Sequence, residues 1–181
     1  HHHPDHPEIF VSSNVPLNGH KVGVAGTGQF WHTDYQFFDK PVGMTMVMPK
    51  IVPEGDRETS FIDMERVYAA LPDDLRALAE RRFFHDAADY YKVQPWDIDR
   101  AIVDLVREFR EKAPGAWHPG VLTHPVTGVR SLYCSSGFTR KVDGLPLEEA
   151  TERLEALFAF VEQDHFVHKH GWREGCLLYT S

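Results

Sequence analysis

The segment Trp31-His32-Thr33-Asp34 contains the residue types best able to do chemistry in this chain. Side chains two positions apart on a strand project from the same face, so His32 and Asp34 can converge on one ion. One histidine and one carboxylate, completed by a distant second histidine, form the facial triad that binds Fe(II) and leaves coordination positions open. The same pair also occurs by chance, as a hydrogen-bonded core histidine beside a strand-end carboxylate. Spacing alone therefore leaves both interpretations open.

The elements that must position this pair are predicted from local patterns. Residues rich in β-branched and aromatic side chains, bounded by Gly, Pro or Asn, are typical of strands. On this basis we expect strands at residues 8–13, 30–38, 42–48, 59–62 and 129–134.

Helical patterns occupy the middle and the end of the chain. Asp63 is a suitable cap for one helix, Pro72 can open a second, and residues 97–112 have amphipathic spacing. Pro146 can begin a last helix, in which four apolar residues share one stripe: Leu154, Leu157, Phe158 and Val161. Strands, a helical block and further strands predict an α+β domain that is mainly β.

Bulk properties limit the function classes. The chain has 181 residues, which suits one domain, and 42% hydrophobic with 25% charged residues is an ordinary globular balance. A net charge of -8 argues against a nucleic-acid or anionic-membrane partner. No apolar run approaches the roughly 20 residues that a membrane helix needs. Two cysteines are too few for a disulfide framework, so we expect a cytoplasmic location.

Further motifs favour the metal-site interpretation of the His-x-Asp pair. Gly26-Thr27-Gly28 precedes it, and ETSFID at 58–63, HPVTGVRSLYCSSGFT at 124–139 and HGWREG at 170–175 follow. In order and spacing these resemble the taurine/2,4-D dioxygenase (TauD/TfdA) family of Fe(II)/2-oxoglutarate-dependent oxygenases. The resemblance implies a double-stranded β-helix, or jelly roll, with helical insertions. It also implies Fe(II) bound by His32 and Asp34, and 2-oxoglutarate held partly by the Thr59 hydroxyl.

The end of the chain departs from the family pattern. After a glycine that matches Gly175, the family continues to a second ligand histidine and to an arginine that binds 2-oxoglutarate. Residues 176–181 instead match the in-frame translation of a transposase adapter used in DNA-library preparation. We therefore expect residues 1–175 to be a C-terminally truncated oxygenase domain and residues 176–181 to be a non-native tail. Such a chain is expected to be inactive or nearly so, although its parent need not be.

One branch of the family is most similar, that of the isonitrile-forming oxidases of lipopeptide biosynthesis. The resemblance rests on HHHPDHPEIFVSS, FWHTDYQFF and YYKVQPWD. It implies that Tyr35 and Lys92 contact the carboxylates of an N-carboxymethyl 3-amino acid. Gln94 stands where that branch usually has arginine, so the substrate differs or another cation compensates. Tyr35 is also interpretable as a packing residue, and Lys92 as a surface lysine.

The sequence thus predicts an enzyme that oxidises a small, acidic, amine-containing metabolite with O₂. The alternatives are a taurine, sulfonate or aryloxy-acid hydroxylase of the same family, a non-catalytic jelly-roll module, and a zinc-binding fragment that uses the histidines at 1–6. A sheet edge left open by truncation predicts marginal stability or a homo-oligomer.

Overall fold

A computed structural model of the chain describes residues 3, 5–16, 19, 20, 23, 28–55, 57–88 and 99–180. Its contacts divide the chain into two units, residues 1–31 and residues 32–181. Each unit is described by itself.

Among the residues of the first unit that the structure describes, turns, bends and isolated bridges occur. Of those residues only Phe10, Ser12 and His20 have bridge pairing, so the continuous strand predicted at 8–13 is wrong. Local hydrogen bonds occupy the backbone there instead, including Ile9 N–H to the His6 carbonyl at 2.9 Å.

Within the described part of the second unit lie four α-helices: α1 at Met64–Ala70, α2 at Asp73–Ala79, α3 at Ile102–Lys112 and α4 at Leu147–Val161. The Asp63 side chain caps α1 by accepting from the Arg66 N–H at 3.0 Å, as predicted. Pro72 and Pro146 occupy the N-cap positions of α2 and α4, so both predicted starts are confirmed.

The described strands are short. They are β1 at Thr45–Val47, β2 at Glu58–Ile62, β3 at Arg82–His85, β4 at Ala116–Pro119, β5 at Val121–Thr123, β6 at Arg130–Leu132, β7 at Thr139–Val142, β8 at Val167–Gly171 and β9 at Leu178–Thr180. All pairs are antiparallel and form four sheets, ordered β1-β9, β2-β8, β4-β3-β7 and β5-β6.

Two strand predictions need correction. Within the predicted strand at 42–48 only Thr45–Val47 is extended and paired. The segment 30–38 is not a strand, because residues 34–37 form turns closed by hydrogen bonds from Gln36 N–H to the Thr33 carbonyl and from Phe38 N–H to the Tyr35 carbonyl. The strands predicted at 59–62 and 129–134 are confirmed as β2 and as the shorter β6.

The main core forms where α1, α2 and α4 pack against β3, β6 and β7. Leu154, Leu157 and Val161 of α4 are buried and Phe158 is partly buried, so the predicted stripe is confirmed. Phe83 on β3 is fully buried at the centre of this cluster.

Among the described residues the fold is mixed, with more residues in helices than in strands. The α+β class is confirmed, whereas the mainly β description does not hold for these residues. The double-stranded β-helix stays a prediction, since the strand pairing forms four separate small sheets.

His85 is a titratable group buried within the three-stranded sheet. It is 0% exposed, and its Nδ1 lies 3.1 Å from the Thr139 hydroxyl. Burial lowers the pKa of His85 to about 3, with smaller contributions from the nearby charges of His118 and Arg140. The imidazole is therefore neutral in the folded protein at neutral pH.

This burial predicts a specific pH dependence of stability. Below pH ~6.5 the unfolded chain protonates His85, whereas the folded chain does not, so the contribution is present above pH ~6.5 and is lost as pH falls towards 3. Between pH 7 and 5.5 the free energy of unfolding should fall by about 1 kcal/mol from this residue alone.

Chemical denaturation at the two pH values measures this loss. His85→Asn should show a smaller decrease than the unmodified protein, and His168→Asn, at an exposed position of β8, should show the same decrease. An equal decrease in all three proteins would contradict the assignment.

Candidate metal centre

The candidate metal centre lies on the turn at residues 32–38. Tyr35 has a φ of 56°, in the left-handed region that non-glycine residues seldom adopt. This reversal directs successive side chains to different environments: Tyr35 is 47% exposed, whereas Gln36 is 0% exposed. A turn, rather than a strand, therefore displays the predicted site residues.

His32 and Asp34 converge as predicted, by a different backbone route. His32 Nε2 lies 3.4 Å from Asp34 Oδ1, and the two side chains are 29% and 41% exposed. The His32 ring also packs edge-on against Phe138, with centroids 6.0 Å apart. Both groups remain accessible from solvent while one side of the imidazole is held by an aromatic ring.

The electrostatics of the pair favour an ionised carboxylate. The hydrogen bond from His32 lowers the pKa of Asp34 below its ordinary value, and a hydrogen bond from Thr45 adds to this effect. Partial burial acts in the opposite direction and is the weaker influence overall. Asp34 is thus poised to bind a cation at neutral pH.

The separation of these donors fits a common ion. Two donors that each lie about 2.1 Å from a divalent ion, at a right angle to each other, are about 3 Å apart. The observed 3.4 Å is close to that value, and one imidazole with one carboxylate is part of the donor set suited to Fe(II). No group of three His, Cys, Asp or Glu side chains with metal-binding geometry occurs in the described part of the chain. The assignment of His32 and Asp34 as metal ligands therefore stays a prediction.

Thr59 lies on β2, opposite His170 of β8. Its hydroxyl oxygen accepts a hydrogen bond from the Trp172 indole N–H at 2.7 Å. Because an indole nitrogen can only donate, the Thr59 hydrogen remains directed elsewhere and can itself be donated. The His170 ring packs edge-on against Trp172, with centroids 4.7 Å apart, and so supports this arrangement.

Tyr35 and Lys92 are the two residues predicted to contact the substrate. Tyr35 directly follows Asp34 and stacks on Phe38, with ring centroids 5.6 Å apart. That contact satisfies the packing interpretation, and the exposure of Tyr35 leaves the substrate interpretation open. Lys92 lies outside the described residues.

Other residues that hold the turn were missed in the sequence. Ser135 hydrogen-bonds to Gln36 of the turn, 99 residues away, and His118 hydrogen-bonds to Phe38, 80 residues away. Trp172 was present in the HGWREG motif, but nothing in the sequence indicated its bond to Thr59. Long-range side-chain pairs of this kind have no local sequence signal.

Comparison with known families decides the identity of the fold. The family model described as "Taurine catabolism dioxygenase TauD, TfdA family" matches residues 1–180. The chain belongs to the TauD/TfdA family. Members of this family are non-haem iron oxygenases that use 2-oxoglutarate.

Individual TauD/TfdA proteins show the extent of the similarity. Pentalenolactone F synthase of Streptomyces arenae is 30% identical over 97% of this chain and 61% of its own length. Alpha-ketoglutarate-dependent 2,4-dichlorophenoxyacetate dioxygenase of Cupriavidus pinatubonensis is 30% identical over 94% of this chain and 60% of its own length. The chain thus spans about three-fifths of the length of these relatives.

A crystal structure of a candidate alpha-ketoglutarate-dependent 2,4-D dioxygenase from Burkholderia xenovorans superposes with a TM-score of 0.70. It is 29% identical, and the match covers 83% of this chain and 56% of that one. The described fold is therefore that of TauD/TfdA oxygenases. Among the described residues, no helix has the length and apolar character required to cross a membrane.

Proposed function

We propose that this chain is part of an Fe(II)- and 2-oxoglutarate-dependent oxygenase in which His32 and Asp34 are two of the metal ligands. The convergence of these two side chains within 3.4 Å, in a TauD/TfdA chain, carries the proposal. The same proposal includes a double-stranded β-helix fold, with residues 1–175 as the oxygenase part and residues 176–181 as a non-native tail. Supporting it are the family match and the ionised state of Asp34.

Each residue has a defined task in this proposal. His32 and Asp34 hold the metal, and the Thr59 hydroxyl donates to a carboxylate of 2-oxoglutarate while Trp172 holds its oxygen. When bound, Fe(II) and 2-oxoglutarate supply O₂ activation coupled to decarboxylation of 2-oxoglutarate to succinate. The exposed phenol of Tyr35, next to the metal ligand Asp34, can donate a hydrogen bond to an anionic substrate.

The finer proposal concerns the substrate. We infer a small acidic amine, such as an N-carboxymethyl 3-amino acid that is oxidised and decarboxylated to an isonitrile, because Tyr35 and Lys92 occupy the matching sequence positions. Hydroxylation of an aryloxy acid or a sulfonate is the alternative, favoured by the 2,4-dichlorophenoxyacetate dioxygenase relative. A cytoplasmic location is proposed because the two cysteines, Cys134 and Cys176, form no disulfide. The homo-oligomer stays a prediction.

Metal binding tests the central proposal. In the protein as its gene encodes it, His32→Ala or Asp34→Ala should weaken Mn(II) or Fe(II) binding by more than about 100-fold, because even outer-shell changes cost about 10- to 100-fold. Calorimetric titration under anaerobic conditions measures these affinities.

The control is built into the chain. His6 and Glu8 have the same 3.4 Å separation and are more exposed, with 58% and 70% of their side chains accessible. His6→Ala should leave metal affinity unchanged. Loss of binding with His6→Ala but not with His32→Ala would favour the histidine-rich zinc site and exclude the oxygenase assignment.

Thr59 and Trp172 provide a test of the 2-oxoglutarate contact. Thr59→Val removes a hydrogen bond to a charged group and should weaken 2-oxoglutarate binding roughly 10- to 100-fold, whereas Trp172→Phe should weaken it about two- to tenfold. The absorption band of the anaerobic Fe(II)–2-oxoglutarate complex reports this affinity.

Thr59→Ser retains the hydroxyl and should bind 2-oxoglutarate nearly as well as the unmodified protein. Thr151→Val, which removes a hydroxyl bound to the Leu147 carbonyl in α4, is the matched control and should have no effect. Unchanged binding in Thr59→Val would remove Thr59 from the site.

The substrate class is tested with Lys92. Lys92→Met should lower kcat/KM for an N-carboxymethyl 3-amino acid by at least tenfold, since the loss of one charged hydrogen bond amounts to about 1.5–3 kcal/mol. Lys112→Met, at an exposed position of α3, should behave as the unmodified protein does. Unchanged turnover of the amino acid in Lys92→Met, or turnover of aryloxy acids alone, would contradict the isonitrile-forming assignment.

A further inference from the structure

The turn that bears Asp34 and Tyr35 has a conformation that requires support. A non-glycine residue in the left-handed region is strained by about 1–2 kcal/mol, and such residues persist where surrounding contacts over-determine them. Tyr35, with a φ of 56°, lies between the metal ligand Asp34 and the fully buried Gln36. The contacts made by residues 36–38 therefore determine whether this conformation is kept.

The first support is a buried side-chain pair. Gln36 Oε1 accepts a hydrogen bond from the Ser135 hydroxyl at 2.8 Å. The same hydroxyl oxygen accepts from the Phe138 N–H at 3.2 Å, so both its donor and acceptor capacities are in use. The Ser135 N–H in turn donates to the Thr139 hydroxyl at 2.9 Å, which ties the pair to the start of β7.

The second support is a backbone contact two residues later. The His118 Nε2 on β4 lies 2.9 Å from the Phe38 carbonyl oxygen. A carbonyl can only accept, so the hydrogen must be on Nε2 of His118. The Phe37 ring also packs edge-on against Phe138, with centroids 5.0 Å apart. Residues 36, 37 and 38 of the turn are thus held by β4 and by the segment leading into β7.

The buried amide of Gln36 is energetically unfavourable, which indicates a role beyond stabilising the fold. The Gln36 Nε2 is buried and has no hydrogen-bond partner among the described residues. A buried amide group without a partner is unfavourable by roughly 1–3 kcal/mol, and an apolar side chain of similar size would avoid that loss. A hydrogen bond has a direction that an apolar contact lacks, so the Gln36 side chain can add to packing in the accurate placement of a ligand-bearing turn.

We propose that Gln36 and Ser135, together with the His118–Phe38 contact, are positioning residues that orient Asp34 and Tyr35 for metal and substrate binding. This inference rests on the proposed function of the same site. If the Gln36–Ser135 bond is lost, Tyr35 can relax out of the left-handed region, and the Asp34 carboxylate turns away from His32. The measured consequence is weaker metal binding and an altered ligand geometry, without removal of any ligand.

Two variants test the proposal in the protein as its gene encodes it. Ser135→Ala removes only a hydroxyl, and Gln36→Met keeps the side-chain length while removing the acceptor. Both should weaken Co(II) binding by about tenfold, the lower end of the effect seen for groups that orient metal ligands, and both should change the intensity and position of the Co(II) d–d absorption bands. Tyr68→Phe is the matched control, because it removes the 2.8 Å hydrogen bond to Glu80 between α1 and α2.

Melting temperature is measured alongside to separate positioning from stability. The proposal expects Tyr68→Phe to lower the melting temperature while leaving Co(II) affinity and spectrum unchanged. It is overturned if Ser135→Ala and Gln36→Met bind Co(II) with unaltered affinity and spectrum, or if Ser135→Ala does not fold, since the hydroxyl would then serve stability. Absence of Co(II) binding in the unmodified protein would instead contradict the proposed function, so the two failures are distinguishable.

Discussion

The left-handed turn at Tyr35 is the constraint on which the candidate site depends. His32 and Asp34 meet at 3.4 Å directly before this turn, and the turn separates an exposed Tyr35 from a buried Gln36. In a regular strand the same alternation would come from the pleat of the extended backbone. Here the turn has to be stabilised by side chains, and Gln36 and the Phe38 carbonyl are the groups through which this occurs.

The three-stranded sheet supplies the partners for that turn. Phe83 of β3 packs into the hydrophobic core, while His118 of β4 and Thr139 of β7 carry polar groups at the buried end of the sheet. His85, neutral because it is buried, packs against His118 and Tyr133, with ring centroids 5.6 and 5.5 Å away. The same sheet therefore connects the apolar core to polar groups that contact the turn bearing the candidate metal ligands.

The second part of the site depends on a different strand pair. Thr59 and Trp172 meet because β2 and β8 pair across more than 100 residues of chain. The Trp172 indole can only donate, so the Thr59 hydroxyl oxygen must accept from it. The Phe38 carbonyl can only accept, so Nε2 of His118 must carry the hydrogen. In both pairs, a group that can only donate or only accept determines how a group capable of both takes part. Such pairs prepare a site before any ligand binds, which is the condition for accurate ligand geometry.

The sequence by itself determined the features that arise from neighbouring residues. Asp63 capped α1, Pro72 and Pro146 began α2 and α4, and the 3.6-residue stripe of α4 was buried, because caps and amphipathic spacing act within one or two turns. The types and spacing of His32 and Asp34 predicted that the two side chains converge, as they do at 3.4 Å, whereas their binding of a metal stays a prediction. Only the tertiary structure decided that residues 30–38 turn rather than extend, and that β3 and β4 exist at all. The turn depends on partners 80 and 99 residues away, His118 and Ser135, and β3 depends on pairing with β4 and β7. The energy of such non-local contacts leaves no periodic pattern in the chain.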